Sequence, residues 1–194
     1  LEEAIRFSQE VGFPVVIKIV SPDVIHKTDV GGVILNISSS MDLKKKYKSL
    51  NVDVRNRLPN IRVKGILVEK MAKPGIEVVI GSIRDPQFGP TIMFGLGGVF
   101  VEVLRDVSFR IAPISKLEAY EMMDEIKGSK LLDGYRNVKP RDKETLANFL
   151  VSVSKLMMEN EEISQLDLNP IVSYDKGAVV LDARVILKDK LTSM

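Results

Sequence analysis

The chain has 194 residues, of which 45% are hydrophobic and 28% are charged, a balance that is ordinary for a soluble globular protein with one large or two small domains. Its 28 basic and 26 acidic residues leave a net charge of +2, which argues against a nucleic-acid scaffold. It contains no cysteine, which excludes disulfides and thiolate sites, and no apolar run long enough to span a bilayer.

The first elements are predicted to be a helix and a buried strand. Residues 1–11 predict a helix that ends at Gly12. Residues 15–20 (VVIKIV) are rich in β-branched side chains and predict a strand. Lys18 interrupts this apolar run, and a lysine in that position is costly unless its ammonium group reaches a partner.

A polar loop, residues 21–29, follows the strand and contains His26, the one histidine of the chain. The loop leads to Gly31 and Gly32, which precede a second apolar run. Backbone amides near paired glycines can approach a phosphate closely, and the nearby lysines can neutralise its charge. The alternative is a hairpin loop with a structural glycine pair, and the Walker pattern is absent because no GxxxxGK[ST] opens a helix here.

The next stretch predicts one helix and two strands. The serines at residues 38–40 are typical of a helix N-cap, and the helix follows over residues 41–58. The lysine run at residues 44–46 is typical of a solvated helix face. Residues 63–71 and 76–84 predict strands that could form a hairpin around a Pro-Gly turn.

Two glutamates interrupt these strands, Glu69 in the first and Glu77 in the second. Near a hairpin turn both could contact one ligand, for instance a ribose and an exocyclic amine. The alternative is that both lie on the solvent-exposed face of the hairpin.

Short strands and a helix start are predicted in the centre of the chain. The strands are expected at residues 91–94, 99–104 and 109–114. The glycine cluster at residues 95–98 (GLGG) predicts a loop in which backbones pack closely. Ser115 has a glutamate three residues later, and this capping box predicts the start of a helix.

The last part predicts an amphipathic helix over residues 141–160, followed by strands at residues 163–172 and 178–185. The chain thus contains both helices and consecutive strands joined by short turns, and such strands typically pair antiparallel. This order of elements predicts an α+β fold.

Three oxygen-bearing side chains lie in the two final strands. Asp167 and Asn169 are two residues apart and therefore point to the same face of a strand, and a tight hairpin would bring Asp182 opposite them. Magnesium prefers such oxygen ligands. The alternative is that these side chains cap nearby turns.

His26 also has two interpretations. A lone histidine is more often a solvated or core residue than a catalyst. Its position in a loop that could hold phosphates allows another role, because imidazole can accept a phosphoryl group as a nucleophile.

Several motifs occur in one order: GFPVVIKIVSPDVIHKTDVGGV, VEKMAKPGIEVVIG, RDPQFGPTIMFGLGG, LLDGYRN, LDLNPIV and VVLDARV. Together they resemble the ATP-grasp portion of the nucleoside-diphosphate-forming acyl-CoA synthetases, over nearly the whole chain. The resemblance implies an ATP-grasp fold with nucleotide between two subdomains, a small lid subdomain at residues 1–62 and a larger one at 63–194. It also implies that a helix and strand of the fold precede Leu1.

The resemblance implies a binding site for ATP or ADP. The residues it assigns are Lys18, Lys27, Thr28, Gly31 and Gly32 at the phosphates, Glu69, Lys70 and Met71 at the adenine, and Glu77 at the ribose hydroxyls. It further implies that Asn169 and Asp182, with Asp167 nearby, bind Mg²⁺.

His26 matches the histidine that carries a phosphoryl group in this family. The implied partner is an α subunit, in an α2β2 assembly, that holds the CoA-binding domain and a second phosphohistidine. No nucleic-acid or membrane partner is expected, and the expected location is the cytoplasm. The expected reaction is that of an ADP-forming acetyl-CoA synthetase. A stand-alone ATP-grasp carboxylate ligase and a non-catalytic nucleotide-sensing module are the alternatives.

Overall fold

The computed structural model describes residues 1–24, 27–98, 105–136 and 139–188. The chain divides into two compact units, Leu1–Lys73 and Pro74–Met194, each with a sheet of its own. Among the described residues, no helix combines the length and the apolar character needed to cross a membrane.

The first unit is a three-stranded antiparallel sheet with two helices. Its elements are α1 (Glu2–Val11), β1 (Val15–Val20), β2 (Val33–Ile37), α2 (Ser40–Arg57) and β3 (Gly65–Lys70), and the strand order is β2-β1-β3. The core is formed by one face of β1 and the buried side of α2. Its fully buried side chains include Val15, Ile17, Ile19, Leu43, Leu50 and Val54.

The start of α2 agrees with the predicted N-cap. Ser39 has an extended backbone, and its Oγ accepts a hydrogen bond from the Asp42 amide at 3.2 Å. A serine in this position satisfies one of the amides that the first turn of a helix leaves without a partner.

β3 pairs with a different strand from the one predicted. It pairs antiparallel with β1, from Gly65 opposite Val20 to Lys70 opposite Val15, and it lies in a different sheet from β4. The predicted hairpin of residues 63–71 with 76–84 is therefore wrong. The apolar side chains of β3 pack into the core of the first unit, and the compact units divide after Lys73.

The second unit is a larger antiparallel sheet with two helices. Its elements are β4 (Ile76–Asp85), β5 (Gly89–Leu96), β6 (Val107–Ile111), α3 (Lys116–Glu125), a 3-10 turn (Ser129–Leu131), α4 (Lys143–Glu159), β7 (Ile163–Ser173), β8 (Ala178–Val180) and β9 (Ala183–Leu187). The strand order is β6-β5-β4-β7-β8, and β9 also pairs with β7. Antiparallel sheets combined with helices confirm the predicted α+β class.

Helices α3 and α4 cover one face of this sheet. Side chains of both helices share one buried cluster with Ile80, Ile92 and Phe94 of the central strands. The predicted capping box opens α3, because Ser115 Oγ accepts from the Glu118 amide and the Glu118 carboxylate accepts from the Ser115 amide.

Two predicted strands have different outcomes in this unit. The strand expected at residues 178–185 is two strands, β8 and β9, interrupted at Leu181 and Asp182. At the interruption the Leu181 amide donates to the Pro170 carbonyl at 2.9 Å, so the chain still follows β7. The strand expected at residues 99–104 lies outside the described residues.

Candidate functional site

Lys18 and Glu69 form an ion pair on the first unit's sheet. Lys18 lies in β1 and Glu69 in β3, and Lys18 Nζ is 2.6 Å from Glu69 Oε2. In the register of the two strands, Glu69 is opposite Val16, so the pair is diagonal. The Lys18 side chain is only 15% exposed, and Glu69 is thus the partner that a lysine in this strand requires.

The sheet face around this pair is apolar and open. Val20 and Leu67 share the face of Lys18 by strand alternation, and Leu35 extends it on β2. These three side chains are 40%, 47% and 52% exposed. An exposed apolar surface with a fixed charged pair can receive a flat ligand that carries an anionic group.

The backbone around Met71 is already hydrogen-bonded. Its amide donates to the Pro14 carbonyl at 3.1 Å, which continues the pairing of Lys70 with Val15 by one step. A contact between Met71 and adenine therefore has to use another atom of this residue.

The glycine pair at the end of the loop forms a tight turn. The Gly32 amide donates to the Lys27 carbonyl at 2.7 Å, and the Gly31 amide donates to the Thr28 carbonyl at 2.9 Å. A Cβ on Gly32 would lie 2.7 Å from the Ile19 side chain. Both amides thus serve the turn itself, as the structural interpretation of the glycine pair expected. His26 lies outside the described residues.

An ion pair that the sequence did not predict lies at the beginning of the same loop. The Arg62 guanidinium binds the Asp23 carboxylate, with Nη2 at 2.6 Å from Oδ1. The hydrogen bonds from Arg62 hold the pKa of the Asp23 carboxyl at about 2, below its ordinary value. Because the two residues are 39 positions apart, no local pattern marks them as partners.

In the second unit, Glu77 lies beside the glycine cluster. Its side chain is exposed at the start of β4. The Gly97 amide donates to the Glu77 carbonyl at 2.7 Å, which is the close backbone contact that the sequence predicted. The predicted loop is shorter than residues 95–98, because Gly95 and Leu96 belong to β5.

The predicted metal ligands lie on neighbouring segments. Asp167 and Asn169 belong to β7, and the Asn169 amide donates to the Asp182 carbonyl at 3.1 Å. The backbone thus brings Asp182 opposite Asn169, and both side chains are exposed. No group of three or more acidic, histidine or cysteine side chains suited to a metal is found in the described part of the chain. Two carboxylates and an amide fit a Mg²⁺ ion that takes its remaining ligands from water and phosphate.

A cavity of about 320 Å³ opens on the face of this sheet that carries Asp167. Its lining is mostly apolar, with Met93, Phe109 and Ile186 among its side chains, and Arg184 lies opposite Asp167 in the register of β7 and β9.

Comparison with known proteins gives one consistent result. The ATP-grasp domain family model matches residues 1–187. The β subunit of ADP-forming acetate–CoA ligase I from Pyrococcus furiosus is 49% identical over 186 residues, which are 96% of this chain and 80% of that protein. ADP-forming acetate–CoA ligase I from Archaeoglobus fulgidus is 48% identical over 98% of this chain, but the chain spans only 28% of its length.

Solved structures agree with these relatives. The acetyl-coenzyme A synthetase 1 of Ca. Korarchaeum cryptofilum, in complex with coenzyme A and Ca-AMPCP, has a TM-score of 0.93 and 53% identity over 96% of this chain and 82% of that one. Another structure of that enzyme has its phosphohistidine segment pointing towards the nucleotide binding site, with a TM-score of 0.83 and 50% identity over 97% of this chain and 83% of that one.

Proposed function

Since the chain belongs to the ATP-grasp family and groups with the β subunits of ADP-forming acetate–CoA ligases, we propose that it performs the nucleotide half of such a ligase's reaction. The whole reaction interconverts acyl-CoA, ADP and phosphate with a carboxylate, ATP and CoA. The step assigned to this chain is phosphohistidine + ADP ⇌ histidine + ATP. The phosphorus–nitrogen bond breaks as a terminal oxygen of ADP bonds to phosphorus, and the imidazole nitrogen leaves with the electron pair.

The observation that carries this proposal is the Lys18–Glu69 pair on an open apolar sheet face. A nucleotide has a flat base with exocyclic amines and a chain of anionic phosphates. Glu69 supplies an acceptor for an amine, and Lys18 supplies a fixed positive charge for a phosphate. Lys70 ends β3 and Met71 follows it, and both are assigned to the edge of the base.

Charge neutralisation is the main chemical task of this site. Phosphoryl transfer needs positioned cations more than covalent assistance, because its transition state spreads negative charge over the phosphate oxygens. Lys18 and Lys27 are assigned to the phosphates, together with the turn formed by Thr28, Gly31 and Gly32. Asn169 and Asp182, with Asp167 nearby, are assigned to Mg²⁺, which supplies further neutralisation when it is bound.

His26 is assigned as the group that accepts the phosphate. Its loop begins at the Asp23–Arg62 pair and ends at the Gly31–Gly32 turn, so both ends are held by the sheet unit that carries Lys18. A phosphorylated histidine on a loop divides transfer over a long distance into two shorter steps.

The proposed partner is an α subunit that holds the CoA-binding domain and the second histidine, in an α2β2 assembly. The subunit naming of the Pyrococcus furiosus relative supports a separate partner, and the much longer Archaeoglobus fulgidus relative supports a fused version of the same arrangement. The proposed location is the cytoplasm, where ATP and ADP are available.

Incubation with Mg²⁺ and γ-labelled ATP tests the assignment directly. We expect the full chain to gain one phosphate that is stable at neutral pH and lost in acid, and His26→Gln to gain none. Labelling that persists in His26→Gln would contradict the histidine assignment. If label appears only after an α subunit is added, the partner is required for transfer. ATP binding without transfer, with or without the partner, would favour the nucleotide-sensing module, and acyl phosphate formed by the chain alone would favour the stand-alone ligase.

A further inference from the structure

The glycine cluster at residues 95–98 has no part in the function proposed above, although it touches a residue assigned to the nucleotide. β4 and β5 pair as far as Val78 and Leu96. The next hydrogen bond runs from the Gly97 amide to the Glu77 carbonyl at 2.7 Å. The cluster thus continues the sheet to the residue that is assigned to the ribose.

Gly97 allows an approach that no other residue type allows. A Cβ at this position would lie 2.8 Å from Glu77 Cβ and 3.0 Å from the Glu77 carbonyl carbon. Neither atom can rotate away, because both belong to the backbone or are bonded directly to it. The absence of a side chain at Gly97 therefore lets the chain approach the base of the Glu77 side chain closely, and any side chain at this position would displace Glu77.

Gly98 leaves the surface beside the carboxylate without a side chain. Its φ is 63°, and a Cβ there would lie 3.5 Å from Glu77 Oε2. The exposed Glu77 carboxylate thus lies next to bare backbone. A side chain at position 98 would occupy the space beside this carboxylate, so the glycine keeps the carboxylate open to a ligand.

From these contacts we infer that Gly97 is a positioning residue that orients the Glu77 carboxylate towards the two neighbouring hydroxyls of a ribose, and that Gly98 leaves room for the sugar. This inference rests on the proposed function, since it takes Glu77 as the ribose ligand. Its consequence is a preference for ribonucleotides over nucleotides that lack the 2′ and 3′ hydroxyls.

The test compares the dissociation constants of ATP and 2′,3′-dideoxy-ATP, measured by calorimetry on the full chain. Wild type should bind ATP more tightly by about tenfold or more, because a carboxylate forms charge-assisted hydrogen bonds with both hydroxyls. Gly97→Ala should raise the dissociation constant of ATP at least about fivefold and change that of dideoxy-ATP by less than about twofold. These changes would remove most of the preference for ATP. Gly65→Ala is the matched control, because a Cβ there meets nothing within 4 Å.

Two further variants keep the inference testable if Gly97→Ala does not fold. Gly98→Asn tolerates the positive φ and fills the space beside the carboxylate, so it should also reduce the preference. In a Glu77→Gln background, Gly98→Asn should cause no further loss, since it acts through Glu77. Equal weakening of both nucleotides, or an unchanged preference, would overturn the inference and leave the proposed function standing. If wild type binds neither nucleotide, the proposed function fails and the inference fails with it.

Discussion

Arg62 holds Asp23 with its backbone as well as its side chain. The Arg62 amide donates to Asp23 Oδ2 at 2.9 Å, and Nε lies 3.1 Å from the same oxygen. Arg62 lies just before β3, and Asp23 lies three residues before His26. The pair thus attaches the beginning of the loop that contains His26 to the sheet that carries Lys18 and Glu69.

Loss of this attachment should slow transfer without weakening nucleotide binding. We expect Arg62→Gln to lower the rate of His26 phosphorylation about tenfold, because small displacements of a reacting group are costly. ATP affinity should stay within about twofold, a change of less than 0.5 kcal/mol. Rapid-quench labelling and calorimetry measure the two quantities. Lys139→Gln, which removes the exposed pair with Asp175, is the control, and an equal loss of rate in that variant would contradict the anchoring role.

The same pair predicts a pH dependence with a defined sign. The pKa of Asp23 is lowered from 3.8 to about 2, first by the Arg62 side-chain hydrogen bonds. A lowered pKa means that the stabilisation is fully present above the unfolded value and is lost as the pH falls towards 2. The Asp23 carboxyl carbon should therefore titrate near pH 2 in an NMR experiment. In Arg62→Gln it should titrate closer to 4, and an unchanged midpoint would show that the pair is absent in solution.

The glycine turn predicts a local loss of stability. A Cβ in Gly32→Ala would lie 2.7 Å from the Ile19 side chain and 2.9 Å from the Lys27 carbonyl oxygen. Overpacking of this kind costs about 1–3 kcal/mol. Urea unfolding followed by a probe in the first unit should show this decrease in the free energy of unfolding. Gly65→Ala should decrease it by less than half as much. Equal losses in both variants would mean that the turn adjusts without strain.

Local sequence patterns predicted the helix starts at Ser39 and Ser115, because capping depends on side chains within three residues of the amides they bind. The partner of β3 was not predictable in this way. Its neighbour β1 lies more than forty residues earlier, and the strand that follows it in sequence was the simpler choice. Strand pairing depends on which apolar faces pack into the same core, and that packing involves residues far apart in the sequence.

In the candidate site, too, local sequence marked some features and only the fold determined others. The residue types at Lys18 and Glu69 marked each as unusual in an apolar strand, but their ion pair follows from the β1–β3 register. Asp23 and Arg62 look like ordinary loop charges in the sequence, and only the fold joins them. The break between β8 and β9 was also missed, since apolar residues continue on both sides of Asp182.

Lys18 should matter more for nucleotide binding than the lysines of α2. We expect Lys18→Ala to raise the dissociation constant of ATP about 10- to 100-fold, because a hydrogen bond to a charged group is worth about 1.5–3 kcal/mol. Lys45→Ala, in the lysine run of α2, removes the same charge elsewhere and should change the constant less than about twofold. Calorimetry at two salt concentrations measures both. Similar losses in the two variants would mean that only the general positive charge of the unit attracts ATP.

The paired segments at Asn169 and Asp182 predict a magnesium effect that is separable from nucleotide binding. Asp182→Asn replaces a carboxylate with a weaker amide ligand, and we expect it to raise the Mg²⁺ concentration needed for half-maximal phosphorylation about tenfold. The affinity for ATP without metal should stay the same or rise slightly, since one negative charge near the phosphates is removed. Asp175→Asn is the control, because it removes a carboxylate from the turn just after β7. A magnesium titration of the labelling rate checks this prediction. If Asp182→Asn weakens metal-free ATP binding as strongly as it raises the Mg²⁺ requirement, the residue acts on the fold of the β7–β9 region and not on the metal.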